Sequence, residues 1–316
     1  MIAGITRLLL LAQLAAIAAL ALAAMRAWNW PLAAALGFGI GMLLLLRIAI
    51  TGNSFALAAR YRAALPATQR LDWRGQQRLF WSEFGATLYA SSWSMPFRAF
   101  RQYRAAEPAA SLPVLLVHGY ACNSGYWSGM SRALAHAGIP HQALDLEPVL
   151  GGIERYVPLL HREIEALCAA SGQPRVVVLA HSMGGLAARA YLRRHGGARI
   201  ARVITLGSPH HGTALAKFGI GANTRDMAWH GQAGQGQASD WLRQLDADES
   251  AALRRRLVSI YSSHDNIVSP PTSAHLAGAR NIELGGIGHV ALAFDARVQA
   301  LVIEEIRAAS SAGLDH

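Results

Sequence analysis

Hydrophobic and polar positions divide the chain into three regimes. From Leu8 to Met25 every residue except Gln13 is apolar, and Arg7 and Arg26 stand at the two ends. A second apolar run, Leu32 to Leu46, closes at Arg47 and is extended by Ile48-Ala49-Ile50. Each run is about as long as a helix must be to cross a bilayer core of roughly 30 Å. The link between them, Ala27-Trp28-Asn29-Trp30-Pro31, carries two tryptophans suited to a membrane–water boundary. Gly37, Gly39 and Gly41 are predicted to let the second run pack closely on the first. The pattern predicts a transmembrane hairpin over residues 1–52. A cleaved signal peptide is the rival reading of the first run, because Ala21-Leu22-Ala23-Ala24 offers small residues near a cleavage position; the second run would still remain as an anchor.

The second regime, residues 53–112, mixes aromatics with arginines. Trp73, Phe80, Trp81, Phe84, Tyr89, Trp93, Phe97 and Phe100 are interleaved with basic residues, as in amphipathic helices lying on a membrane surface. Packing on the following domain as a partial cap is the equal alternative, and the region reads as a connector rather than a core. Ala105 to Pro113 is small and proline-containing, which places a domain boundary there.

From Pro113 short apolar strands alternate with helical periodicity. Strands are predicted at Val114–Val117, His141–Leu146, Arg175–Ala180, Arg202–Leu206, Leu257–Tyr261 and Asn281–Leu284. Helices are predicted at Ser124–Ala137, Ile153–Ala170, Met183–Arg194 and Ala291–Ala308, and Gly138 is a stop signal. Such alternation predicts an α/β domain over residues 113–316, a doubly wound and mostly parallel sheet covered on both faces. Thr213 to Ala252 breaks the rhythm with a Gly/Gln-rich centre, Gly231 to Gln237, and reads as a structureless insertion of the kind used for lids and binding loops.

Composition changes this picture little. The chain has 316 residues, is 53% hydrophobic and carries a formal charge of +10, nearly all of it arginine because Lys217 is the one lysine. A basic stripe with interleaved aromatics, a zinc-spaced Cys/His set and a nucleic-acid module are all missing from the sequence, which argues against nucleic acid as a partner. The two cysteines, Cys122 and Cys168, fall in a predicted loop and a predicted helix and say little about redox compartment. Arg47, Arg60, Arg62, Arg70, Arg74 and Arg78 follow the second apolar run against only Asp72 and Glu83. The positive-inside rule therefore predicts both termini, and the large domain, on the cytoplasmic side of a bacterial inner membrane.

Candidate chemistry centres on Ala180-His181-Ser182-Met183-Gly184-Gly185, where a β-branched run turns abruptly into a helical segment. This is the layout of a nucleophile elbow, with Ala180 in place of the usual first glycine of G-x-S-x-G. A serine hydroxyl needs a base, and the base needs an orienting acid. Asp265 follows the strand Leu257–Tyr261, and His289 follows the strand Asn281–Leu284 in the glycine-rich Gly285-Gly286-Ile287-Gly288. The order Ser182, Asp265, His289, each past a strand end, is the order expected of such a triad. Asp145, Asp240 and Asp295 rank lower as the acid. Backbone N–H groups of Met183 and Tyr120 are predicted to form the oxyanion hole, and His118 to be a structural hydrogen-bonder.

The chain from Pro113 onward resembles the α/β-hydrolase family, in particular its bacterial lipase and esterase branch. The resemblance rests on Leu116-Val117-His118-Gly119, on the elbow with its alanine, and on Thr205-Leu206-Gly207-Ser208-Pro209-His210-His211-Gly212-Thr213. It implies hydrolysis of acyl esters or lipids through an acyl-enzyme, with Ser182 as nucleophile, His289 as base and Asp265 as orienter, and no cofactor. Many secreted lipases of that branch hold calcium through an aspartate two residues after the base; Ala291 stands there, so no metal is expected. Thioesterase, acyltransferase or peptidase activity on the same fold, and a non-catalytic membrane receptor or scaffold, are the alternatives.

Overall fold

Valine, leucine and isoleucine dominate the segments that become the central strands, and those strands are buried on both faces. The computed structural model describes residues 1–62, 65–100, 102–103, 111–232 and 235–311. Its strands are β1 (Gln102–Tyr103), β2 (Val114–Val117), β3 (His141–Leu144), β4 (Val176–His181), β5 (Ile200–Leu206), β6 (Trp229–Gln232), β7 (Gln235–Ala238), β8 (Leu257–Ser262) and β9 (Arg280–Leu284). Seven of them form one sheet in the order β1-β3-β2-β4-β5-β8-β9. All its pairs are parallel except β1 with β3. The carboxyl ends of β2, β4, β5, β8 and β9 therefore open on one edge. In register, Val117 lies opposite Ala180, His181 opposite Leu206, and Ser262 opposite Leu284.

Alternation along β2 and β4 divides the core in two. Leu115, Val117, Val176, Val178 and Ala180 face the helices Val157–Ser171 and Met183–His195. Val114, Leu116, Val177 and Leu179 face the helices Ser128–His136 and Ala296–Ser311. These elements match the predicted α/β sheet closely, because a parallel sheet covered on both faces leaves its signature in continuous apolar runs.

The N-terminal part is two long helices, α1 (Ile2–Trp28) and α2 (Leu32–Ala59). Asn29 in the left-handed conformation ends α1, and Pro31 opens α2. Both are long and apolar enough to cross a membrane, and most of their large side chains, among them Leu8, Leu11, Leu14, Leu45 and Leu46, are exposed. Gly39 meets the backbone of Ile17, where any Cβ would lie 2.8 Å from the Ile17 oxygen. Gly37 and Gly41 face open space, so only one of the three predicted packing glycines is used. Trp28, Trp30 and Phe38 cluster at the turn, with ring centroids 5.4–6.2 Å apart.

Two expectations are corrected. Residues 53–112 are not merely a connector. Helix α2 runs on to Ala59, and α3 (Trp73–Tyr89), capped by Asp72 through a 2.7 Å bond from the Gly75 N–H, lies on the large domain. It buries Leu79 and Glu83 while Trp73 and Trp81 stay exposed. It continues through a π-helical turn, Ala90–Ser94, whose Ser94 and Met95 are buried. Of the predicted linker, Ala105 to Ala110 lie outside the described residues.

Nor is the insertion 213–252 structureless. Apart from Ala233 and Gly234, which lie outside the described residues, it forms helical turns, the β6–β7 hairpin and the helix Asp240–Asp248. What orders it is a buried ion cluster. Arg189, fully buried, donates to Glu249 at 2.8 Å and to Asp246 at 3.3 Å, and Arg254 reaches both carboxylates. Polar composition conceals such an arrangement, since charged residues ordinarily signal solvent.

Candidate active site

The serine side of the site is built from small residues. Ser182 follows β4 with φ 53° and ψ −127°, a backbone conformation rare for a residue with a side chain. Such strain costs about 1–3 kcal/mol and persists only where the surroundings enforce it. The enforcement is visible at three glycines. A Cβ on Gly119 would stand 2.9 Å from the Ser182 Cβ, and one on Gly184 would stand 2.6 Å from the Val117 and His118 carbonyls. At Gly185 it would collide with Ser208. The Ser182 N–H donates to the Leu206 carbonyl at 2.9 Å, locking the turn to β5.

Met183 opens the helix Met183–His195, so its N–H is one of those left without an intrahelical acceptor. Tyr120 sits one residue beyond Gly119, and its hydroxyl bonds both the N–H and the carbonyl of Ile220 in the insertion. His118 is buried and accepts from the Leu146 N–H at Nε2 (3.0 Å), which leaves its Nδ1–H to donate to the Gly119 carbonyl at 2.8 Å. Burial holds His118 below the ordinary histidine value, in keeping with a structural role.

Across the edge, His289 Nδ1 and Asp265 Oδ2 lie 2.8 Å apart, both buried. Asp265 Oδ1 also accepts the N–H groups of Ile267 (2.8 Å) and Val268 (2.7 Å), which fixes the carboxylate. Burial depresses the basicity of His289, but the charge and hydrogen bond of Asp265, helped by Glu83, carry it above the ordinary value. Gly207, at φ 54°, joins the two halves: a Cβ there would be 3.1 Å from Asp265 Oδ2 and 3.3 Å from His289 Nδ1. With Nδ1 committed to Asp265, the Nε2 atom is the one left for the serine. Ser182 Oγ makes no hydrogen bond among the described residues.

His181, which precedes the serine, turns into the domain. Its Nε2 lies 3.2 Å from the His289 carbonyl, and its ring stacks on Tyr126 at 4.4 Å. Burial and the neighbouring His289 keep it well below the ordinary value and hence neutral, so Nε2–H is the donor. The lower-ranked acids do other work. Asp145 accepts the Ser124 N–H, Asp240 pairs with Arg243, and Asp295 pairs with Arg297.

Two contributions escape sequence reasoning. Asn266 accepts the His289 N–H on Oδ1 (2.9 Å) and donates through Nδ2 to Ser54 on α2 (2.8 Å). Glu83 on α3, 1% exposed, accepts the N–H groups of Val290 (3.1 Å) and Ala291 (2.9 Å), directly after His289. Each joins residues about 200 positions apart, a distance over which neither periodicity nor motif spacing carries information. Among the described residues there is no group of three or more side chains arranged to hold a metal ion.

Comparison with known proteins agrees with this geometry. Residues 113–228 match the alpha/beta hydrolase fold family. Triacylglycerol lipases of Pseudarthrobacter phenanthrenivorans and Burkholderia plantarii are each 30% identical over 118 residues, 35% of this chain. The matched segment is 37% and 33% of those two proteins, so the chain spans about a third of the curated relatives it matches. Among solved structures, a Bacillus licheniformis lipase in mature form is similar with a TM-score of 0.55 at 18% identity, over 66% of this chain and 97% of that one. Aspergillus fumigatus lipase B is similar with a TM-score of 0.52 at 20% identity, over 64% and 55%. At such identities the likeness is one of fold. Ser182 lies within the matched segments of the family, whereas Asp265 and His289 lie beyond them.

Proposed function

The large domain has the α/β-hydrolase fold, and from that premise we propose that the protein is a membrane-anchored serine hydrolase of carboxylic esters, acting on acyl lipids. Ser182 Oγ attacks the ester carbonyl, and His289 Nε2 takes its proton and returns it to the departing alcohol. Asp265 holds the imidazole in the tautomer that leaves Nε2 unprotonated and stabilises the imidazolium. The N–H groups of Met183 and Tyr120 receive the oxyanion. Water then repeats the sequence on the acyl-enzyme, and no cofactor takes part.

The observation that carries this reading is the strained backbone of Ser182, supported by the buried His289–Asp265 pair at the same edge of the sheet. A structural serine has no need of a positive φ or of three glycines packed against its turn. Helices α1 and α2 support anchoring in a bilayer, with the arginine-rich segment after α2 on the cytoplasmic side. The fixed half of the insertion leaves only its exposed Phe218 and Ile220 to cover the mouth of the site.

A panel of nitrophenyl esters, monoacylglycerols, triacylglycerols and phospholipids, offered to the full chain in micelles, tests the activity. Ser182→Ala is expected to abolish every hydrolysis seen with the wild type, and hydrolysis that survives it contradicts the reading. Anchoring is tested separately: the chain is expected to stay in the membrane pellet under alkaline carbonate, and release into the supernatant counts against a spanning hairpin.

A further inference from the structure

The loop that carries His289 is fastened by a residue far outside the large domain's own sequence. Glu83 lies on α3, and both its oxygens are used, Oε1 by the Val290 N–H and Oε2 by the Ala291 N–H. The fit is tight, because a Cβ at Gly288 would collide with the carboxylate. A protonated carboxyl needs an acceptor for its O–H, yet both oxygens face N–H donors. The charged form is therefore the one this pocket is shaped for.

We propose that Glu83 is a positioning residue for His289: its carboxylate clamps the backbone after the imidazole and places a second negative charge beside it. The proposal rests on His289 being the base. Through Glu83 the helix that follows the membrane-proximal segment becomes part of the catalytic apparatus. Helix α3 is in turn tied to the hairpin, since Arg47 on α2 bonds Gln13 on α1 at 2.6 Å and Ser91, just past α3, at 3.0 Å.

The titratable groups facing His289 come from several elements. Asp265 stands on the loop after β8, Glu83 on α3 and His181 at the end of β4. Tyr126, with Cys122 beside it, lies behind His181. His181 is neutral, burial pushes the Cys122 thiol up to about 12, and burial also holds the Tyr126 phenol well above its ordinary value. Asp265 and Glu83 are thus the charges His289 feels. Burial raises the Glu83 carboxyl, against which the two N–H bonds and the His289 imidazolium act. A negative charge near His289 raises its pKa, so its removal must move the acid limb of activity to lower pH.

The test compares kcat and KM across pH for nitrophenyl butyrate with full-length wild type, Glu83→Gln, Glu83→Ala and Leu79→Ala in micelles. Leu79 is a buried apolar neighbour on the same helix. Glu83→Gln is expected to shift the acid limb to lower pH with KM unchanged. Glu83→Ala, which leaves two N–H groups without an acceptor, is expected to lower plateau kcat about tenfold to a hundredfold. Leu79→Ala is expected to lower Tm and leave the limb in place. A Glu83→Gln profile superimposable on the wild type, or an equal shift in Leu79→Ala, overturns the proposal. Ser182→Ala separates the two claims. Activity that survives it removes the nucleophile and base together, whereas a dead Ser182→Ala beside an unaltered Glu83→Gln removes only the role of Glu83.

Discussion

The two loops that meet at the site are held in different ways. Ser182 is held by its neighbours in sequence: β4 before it, a helix after it, and glycines at 184 and 185 that let both arms close on β2 and β5. His289 is held from a distance. Its side chain is fixed by Asp265, its N–H by Asn266, its carbonyl by His181, and the two N–H groups after it by Glu83. The first arrangement is a local motif that any chain can carry. The second requires the N-terminal helices to be docked, so in this molecule the base depends on the membrane-proximal part and the nucleophile does not.

The largest effect is expected where the base loop is broken at its nearest contact. Asp265→Asn should lower kcat/KM by about 10³–10⁴-fold. Because Asp265 holds the basicity of His289 up, the residual activity should extend to lower pH than in the wild type. A steady-state pH profile checks both, and an unshifted acid limb would detach Asp265 from His289.

A second break tests whether the nucleophile side is as local as it looks. The elbow helix is pinned through Arg189 to Glu249 in the insertion. Removing one partner of a buried pair strands the other, so Glu249→Ala should destabilise the fold by about 3–5 kcal/mol. Denaturant unfolding measures the loss. If the elbow is local in the sense described, protein that remains folded should keep near-normal kcat; a proportionate fall in kcat would blur the contrast between the loops.

The smallest expected effect lies at the far end of the base side. Ser54→Ala removes the acceptor on α2 that holds the Asn266 amide. A loss of about 1 kcal/mol of stability and a few-fold drop in kcat are expected. A matching change at an exposed α2 position such as Ile50 should do neither, and thermal shift with ester turnover reads both.

The contrast also decides what the sequence reveals. The strands from Val114 to Leu284 and the four long helices of the domain are legible because apolar periodicity is a local property, and the elbow because its small residues are contiguous. Asp265 and His289 are legible through chain order, which fixes the strand each must follow. Glu83 is not: in sequence it is one acid on an amphipathic helix, and only the fold brings it to the amides after His289. The Arg189–Glu249 cluster is hidden for the same reason, and with it the order of an insertion whose Gly/Gln composition reads as loose. Gly37 and Gly41 mislead in the other direction, since small residues permit close packing without compelling it.

The central claim is that Ser182 is the nucleophile, and a fluorophosphonate probe tests it most directly. The full chain in micelles is labelled, digested and mapped by mass spectrometry, with Ser182→Ala in parallel. A single adduct on the peptide containing Ser182, absent from Ser182→Ala, is the expected result. An adduct on another residue, or undiminished labelling of Ser182→Ala, would contradict it.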